Sequence, residues 1–151
     1  MSINEQQQVD LKNRASYRAW TSHTIRYNDL DPLGHVNNAI YSTFVEAGRT
    51  ALLQPMFKEY AHLNLDIVLV RTVLDFHKEL NYPGEVDIGT SVRRIGNTSV
   101  VFINGIFDRN TNVCHASGEA HLVFFDLIER TSTRPPQVFR DALENVMISS
   151  S

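Results

Sequence analysis

From Asn38 onward, apolar side chains return at helical intervals: Ile40, Tyr41, Phe44, Val45, Gly48, Ala51 and Leu52. That spacing predicts a helix with a wide apolar stripe. Asn37 is placed to cap it, and Val36 stands at hydrophobic-staple distance from Tyr41. Gly48 lies inside the stripe at a cost of about 1 kcal/mol relative to alanine, which marks a place where another backbone approaches closely. Pro55 is expected to end this helix or to open a short second one over residues 55–61. Upstream, Trp20, Ile25 and Tyr27 among threonines predict a first strand between residues 17 and 27.

Beyond the helix the chain changes character. Residues 66–80, 85–95, 98–108 and 112–127 are rich in β-branched and aromatic side chains and predict four long strands. Turn chemistry separates them: Tyr82-Pro83-Gly84, Gly96-Asn97 and Arg109-Asn110-Thr111. Gly96 suits the first central position of a two-residue hairpin turn. In the last strand Ala116, Gly118, Ala120, Leu122 and Phe124 share one face, small at one end, as a sheet needs if it is to wrap a helix closely. After Pro135-Pro136, FRDALENVM reads as a short terminal helix. The expected architecture is α+β: five antiparallel strands curled around one central helix. Residues 1–16, polar and glutamine-rich, are expected to be a flexible leader, and residues 17–148 a single domain.

Composition narrows the function without naming it. The 151 residues are 42% hydrophobic and 21% charged, with a formal net charge of −3. That balance is globular and lacks the basic footprint of a nucleic-acid binder. The single cysteine, Cys114, rules out an intrachain disulfide and suits a reducing compartment. MSINEQQQVDLKNRAS has no apolar signal-peptide core, and no apolar run approaches a membrane span, so a cytoplasmic protein without membrane partners is expected.

The chemistry concentrates in residues 26–49, RYNDLDPLGHVNNAIYSTFVEAGR. More polar, turn-forming residues gather there than one helix cap requires. Asp29 reads as a turn-former. Asp31 precedes Pro32, which drives it toward an extended backbone and leaves its side chain free to point away from the turn. The first helical N–H groups, near Asn38 and Ala39, have no intrahelical partner and carry the positive end of the helix dipole. A carboxylate beside such donors can attack, or deliver water to, a carbonyl whose oxygen the donors hold.

The pattern D-x-D-x-x-G-H-V-N-N-x-x-Y-x-x-x-x-E-x-x-R, from Asp29 to Arg49, resembles the signature of the 4-hydroxybenzoyl-CoA thioesterase-like family of hot dog fold proteins. The order of elements over about residues 18–130 is similar to that family's, as is the hairpin Arg94-Ile95-Gly96-Asn97-Thr98-Ser99. The resemblance implies an acyl-CoA thioesterase in which Asp31 is the catalytic carboxylate and the backbone N–H around Asn38 polarises the thioester carbonyl. Coenzyme A then enters only as part of the substrate, with no metal or redox cofactor. A thiol leaving group of pKa near 8.5 needs no strong general acid, and a carboxylate of ordinary pKa about 3.9 is ionised at pH 7. Nucleophilic attack and general-base catalysis both remain open.

Among the neighbours, Gly34 provides the turn, and His35 either orients substrate or makes a structural hydrogen bond. Asn37 reads as a cap and Tyr41 as a core or interface residue. Glu46 is the rival carboxylate, since some hot dog enzymes act from the helix; its alternative is an ion pair with Arg49 or a polar contact across subunits. Of Arg71, Lys78, Arg93 and Arg94, only Arg93 or Arg94 is expected to meet CoA phosphates. His115, Glu119 and His121 are too widely spaced along one strand to close on a metal, and Cys114 has no histidine partner to make it a nucleophile. The resemblance also implies a homodimer or dimer of dimers with continuous sheets. Two other readings stay open: a non-catalytic acyl-CoA-binding protein and an acyl-thioester hydratase or dehydratase.

Overall fold

The computed structural model describes residues 8–148. In chain order the elements are β1 (Ala19–Ile25), α1 (Asn38–Glu59), β2 (Leu65–Phe76), β3 (Gly84–Ile95), β4 (Ser99–Asp108), β5 (Cys114–Asp126), β6 (Thr131–Ser132) and α2 (Gln137–Glu144). The sheet runs β1-β3-β4-β5-β2, antiparallel throughout, and the short β6 pairs with β5. Its two edge strands, β1 and β2, are the ones that flank α1 in sequence. The helix therefore crosses the concave face from one edge to the other, and the sheet curls around it.

Asn37 caps α1 as its sequence position implies, its Oδ1 accepting the Ala39 N–H at 2.9 Å. Val36 and Tyr41 are buried in one cluster with Phe44, Val45, Ile88 and Ile106. The buried side of the helix is Tyr41, Phe44, Val45, Gly48, Arg49 and Leu53. It departs from the apolar pattern by taking in a charged residue and by leaving Ala51 exposed. Pro55 neither ends α1 nor starts another helix; it lies inside a single 22-residue helix. An interior proline forfeits one hydrogen bond at about 3 kcal/mol. Leu53, Met56 and Phe57 on either side of it pack into a cluster with Phe102, Phe124 and Phe139, and that packing carries the helix through.

Gly48 is needed for close approach, to side chains rather than to a backbone. A Cβ there would stand 2.7 Å from Thr90 Oγ1 and 2.8 Å from Ile88 Cγ2. At Gly118 the demand comes from the neighbouring strand instead of the helix, because a Cβ would collide with the Val73 carbonyl of β2. The β3–β4 hairpin turns one residue later than expected: Ile95 pairs with Val100, and the Gly96 N–H donates to Ser99 O at 2.8 Å. Asn97 and Thr98 are thus the central residues, and Gly96 has no positive φ.

The convex face is covered by residues that precede β1, from Val9 to Tyr17. Tyr17 lies over Gly89 and Gly105, where added Cβ atoms would come within 2.5 and 2.7 Å of it. Its hydroxyl donates to Leu11 O at 2.5 Å, and Val9 and Leu11 pack on Ile103, Phe107 and Cys114. Residues 8–16 of the polar leader are held in this way; residues 1–7 lie outside the described residues. At the far end of α1, α2 closes the core with Phe139 and Leu143, both fully buried.

Candidate active site

The segment between β1 and α1 is tied together by main-chain geometry. Asp29 is buried; its Oδ2 accepts the Arg26 N–H at 2.8 Å, its Oδ1 accepts the Arg26 guanidinium at 2.9 Å, and its carbonyl accepts the Asn37 N–H at 2.8 Å. It is the turn-former its position suggests. Asp31 differs from the expectation that its side chain would stand clear of the turn. Its Oδ1 accepts the Leu33 N–H at 2.9 Å and the His35 N–H at 3.1 Å. Its own N–H donates to His35 O at 2.7 Å, and its carbonyl accepts from Gly34 at 3.0 Å. Gly34, at φ +84°, lets residues 33–35 fold back over the carboxylate. The N–H groups that follow Pro32 find the nearest oxygen instead of solvent. One carboxylate oxygen is consumed by an Asx-type turn. The other, Oδ2, accepts no hydrogen bond among the described residues.

Asp31 lines a cleft of about 280 Å³ together with His35, Asn38 and Tyr41 on one side and Phe76 through Glu79 on the other. At its floor the α1 N-terminus is only partly satisfied. Asn37 has taken the Ala39 N–H with its side chain and the Ile40 N–H with its carbonyl, while the Asn38 N–H has no partner among the described residues. Tyr41 Oη accepts the Leu80 N–H at 3.2 Å, and its ring meets Phe76 edge-on at 5.1 Å. Burial pushes the Tyr41 phenol up, so it stays protonated at neutral pH. His35 Nε2 lies 3.0 Å from Glu79 Oε2. His77 Nε2 lies 2.8 Å from Ser117 Oγ, and burial draws its pKa down. Two residues, one with a free carboxylate oxygen and one with an unpaired amide donor at a helix dipole's positive end, line one small space with the rings of Tyr41 and Phe76.

The structure brings Asp31, His35, Asn38 and Tyr41 to this cleft, with Gly34 shaping the turn and Asn37 the cap. Glu46 is elsewhere. It is exposed on the next part of α1 and lines a second cavity with Arg49. Arg93 and Arg94 do not line the cleft either: Arg93 falls at a bulge in β3, Arg94 stands opposite Val101, and Arg93 pairs with Glu119 at 2.7 Å. The basic residue that does line it is Lys78. Phe76 is the last residue of β2, and His77, Lys78 and Glu79 follow it directly, all far along the chain from Asp31. They arrive because Leu80 O accepts the Val36 N–H at 3.1 Å and because His35 bridges to Asn81. No local pattern signals that closure. Cys114 is buried, and burial pushes its thiol up, away from nucleophilic use.

A family model described as the thioesterase-like superfamily matches residues 25–143. Among solved structures, a Pseudomonas aeruginosa protein superposes with a TM-score of 0.83 at 25% identity, covering 91% of this chain and 97% of that one. A predicted thioesterase from Bacillus stearothermophilus gives 0.80 at 25% identity, with 88% and 98% covered. A 1,4-dihydroxy-2-naphthoyl-CoA thioesterase from Synechocystis shares the fold, at 0.74 and 15% identity over 83% of this chain and 94% of its own. A search of curated proteins finds no match.

Proposed function

Because this chain belongs to the thioesterase-like superfamily and has the hot dog fold, we propose that it hydrolyses an acyl-CoA thioester to the free acid and CoA, with Asp31 as the acting carboxylate. The observation that carries the reading is the sharing of one cleft by Asp31 and the unpaired Asn38 N–H. In this mechanism the thioester carbonyl oxygen accepts the Asn38 N–H, where the helix dipole stabilises the developing oxyanion. Asp31 Oδ2 then attacks the carbonyl carbon, expelling CoA thiolate and leaving a mixed anhydride that water cleaves. Alternatively, it takes a proton from a water that attacks directly. Either route uses Oδ2, since the Leu33 and His35 N–H groups occupy Oδ1 and fix the carboxylate's direction. Lys78, exposed at the cleft, is placed to meet a CoA phosphate.

The reading includes a second copy. Strand β2 is a sheet edge with Val68, Leu69 and Val70 exposed, and its end lines the cleft. Pairing two β2 edges covers that row and sets a partner beside the site. No helix among the described residues is long and apolar enough to cross a membrane, and we place the protein in the cytoplasm.

One observation favours a second reading. The double use of Asp31 Oδ1 in the turn suits a non-catalytic acyl-CoA-binding protein in which Asp31 is structural. Purified protein assayed for thiol release against a panel of aliphatic and aromatic acyl-CoAs separates the two. Hydrolysis is expected, with a fall of about 10²–10⁴-fold in Asp31→Asn. Binding without thiol release would select the second reading, and thiol release lost in Glu46→Gln but kept in Asp31→Asn would move the chemistry to the helix. Water addition to an enoyl-CoA without thiol release would instead mark a hydratase.

A further inference from the structure

Tyr41 lines the cleft at 3% exposure with a hydroxyl that is only half used. A phenol oxygen both accepts and donates. The Oη accepts the Leu80 N–H at 3.2 Å, so one lone pair is occupied while the O–H hydrogen stays free. Among the described residues nothing accepts that hydrogen, and burial keeps it on the oxygen at neutral pH. The ring is fixed edge-on against Phe76 at 5.1 Å, so the hydroxyl cannot swing away to find a partner. Buried donors without acceptors are rare and destabilising. In a cleft, solvent or a bound molecule has to supply the acceptor.

The helix sets the direction of this donor. Asn38 and Tyr41 lie three apart in the first turn of α1, so they share a face, and side chains on a helix lean toward its N-terminus. The Tyr41 side chain therefore lies back over the turn whose Asn38 N–H has no partner. Leu80, which the hydroxyl meets, directly follows Phe76 to Glu79 on the opposite wall. Asn38 and Tyr41, each with an unpaired donor, thus line the same space as Asp31. Of the two acceptor atoms in a thioester, the carbonyl oxygen is strong and the sulfur weak. Burial, with the nearby Glu79 carboxylate, pushes the phenol above its ordinary pKa of 10, so handing its proton to a thiolate of pKa about 8.5 is uphill. The hydroxyl works by donating a hydrogen bond, not as an acid.

We propose that Tyr41 is a second catalytic donor, its O–H joining the Asn38 N–H on the thioester carbonyl oxygen while the Leu80 N–H holds the phenol in place. This rests on the hydrolase reading above and deepens it. Tyr41→Phe keeps the ring against Phe76 and removes the hydroxyl, and circular dichroism checks its fold. Its kcat is expected to fall by about 10²-fold or more, well beyond any rise in KM. Binding is measured on two inert relatives of the acyl-CoA that the wild type binds best: the ketone with methylene in place of sulfur, and the S-alkyl-CoA, which has no carbonyl. Tyr41→Phe should weaken the ketone by about 2–10-fold and leave the S-alkyl ligand unchanged. Unchanged kcat, or equal losses for the two ligands as an unpaired Leu80 N–H alone would cause, overturns the proposal. If Tyr41→Phe does not fold, 3-fluorotyrosine at position 41, a stronger donor of nearly the same size, should bind the ketone more tightly than wild type does; an unchanged ratio of ketone to S-alkyl affinity overturns the proposal. A wild-type protein that binds both ligands but releases no thiol sinks the hydrolase reading instead, and the ligand pair alone then supports or overturns the Tyr41 contact.

Discussion

Replacing Gly48 by alanine sets two effects of known size against each other. Helix propensity alone predicts a gain of about 1 kcal/mol, since glycine is the poorest interior residue after proline. The new methyl, however, would stand 2.7 Å from Thr90 Oγ1 and 2.8 Å from Ile88 Cγ2. Ordinary contact lies near 3.5–4.0 Å, so the overlap is roughly 1 Å at two points. Neither neighbour can yield cheaply. Both are fully buried on β3, between β1 and β4, and both are β-branched with stiff χ1 torsions. Turning Thr90 away would also break the bond its Oγ1 accepts from Asn104 Nδ2 at 3.0 Å. Overpacking of this kind costs about 1–3 kcal/mol, and a broken buried hydrogen bond adds about 1–3 kcal/mol. The clash therefore wins, and Gly48→Ala is expected to destabilise by about 1–5 kcal/mol net of propensity. Urea unfolding followed by circular dichroism measures it, at matched protein concentration because association shifts apparent stability. The Gly48→Ala/Thr90→Ala double variant should show a smaller alanine penalty than Gly48→Ala does alone, with a coupling of about 0.5 kcal/mol or more. A Gly48→Ala protein more stable than wild type by the propensity figure would refute the reasoning and show that the helix depth is not set at this contact.

Tyr17→Ala should destabilise by about 3–5 kcal/mol, because it empties the space over Gly89 and Gly105. Tyr17→Phe should cost about 1 kcal/mol, the hydrogen bond to Leu11 O, and equal losses in the two variants would contradict that division. On the convex face, the hydrogen bond from His121 at 2.9 Å and the Arg93 guanidinium at 2.7 Å hold the Glu119 carboxylate below the usual glutamate range, against the opposing effect of burial. A folded-state pKa below the unfolded one stabilises fully above the unfolded value, about 4.3, and the benefit fades as pH falls through the folded value. Glu119→Gln should therefore be less stable than wild type at neutral pH, with the gap closing below about pH 4; a gap independent of pH in urea titrations would show that the pairing contributes nothing.

The central helix and its cap were legible because they depend on neighbours in sequence. The Asn37 side chain reaches the Ala39 N–H two residues on, and the 3.6-residue period writes the buried side of α1 into the pattern. The strands were legible for the same reason, although the hairpin turn moved by one residue because register, not glycine, decided it. Pro55 misled because local propensity was overruled by the packing of Leu53, Met56 and Phe57. Arg49 was invisible as a core residue, since its burial depends on what the opposite wall supplies.

For the candidate site the division is similar. The clustering of Asp29, Asp31, Gly34, His35 and Asn37 ahead of a helix is a property of the sequence, and so are the donors that the helix start leaves unpaired, because both arise within one stretch of contiguous chain. Which Asp31 oxygen remains available, that Phe76 through Glu79 close the cleft, and that Glu46 and Arg49 belong to a separate cavity were decided only when the sheet curled and brought the chain that follows β2 back to Val36. Short-range pattern records backbone hydrogen bonding and periodicity; distances between residues far apart along the chain are set by strand order and packing, which no local stretch of chain encodes.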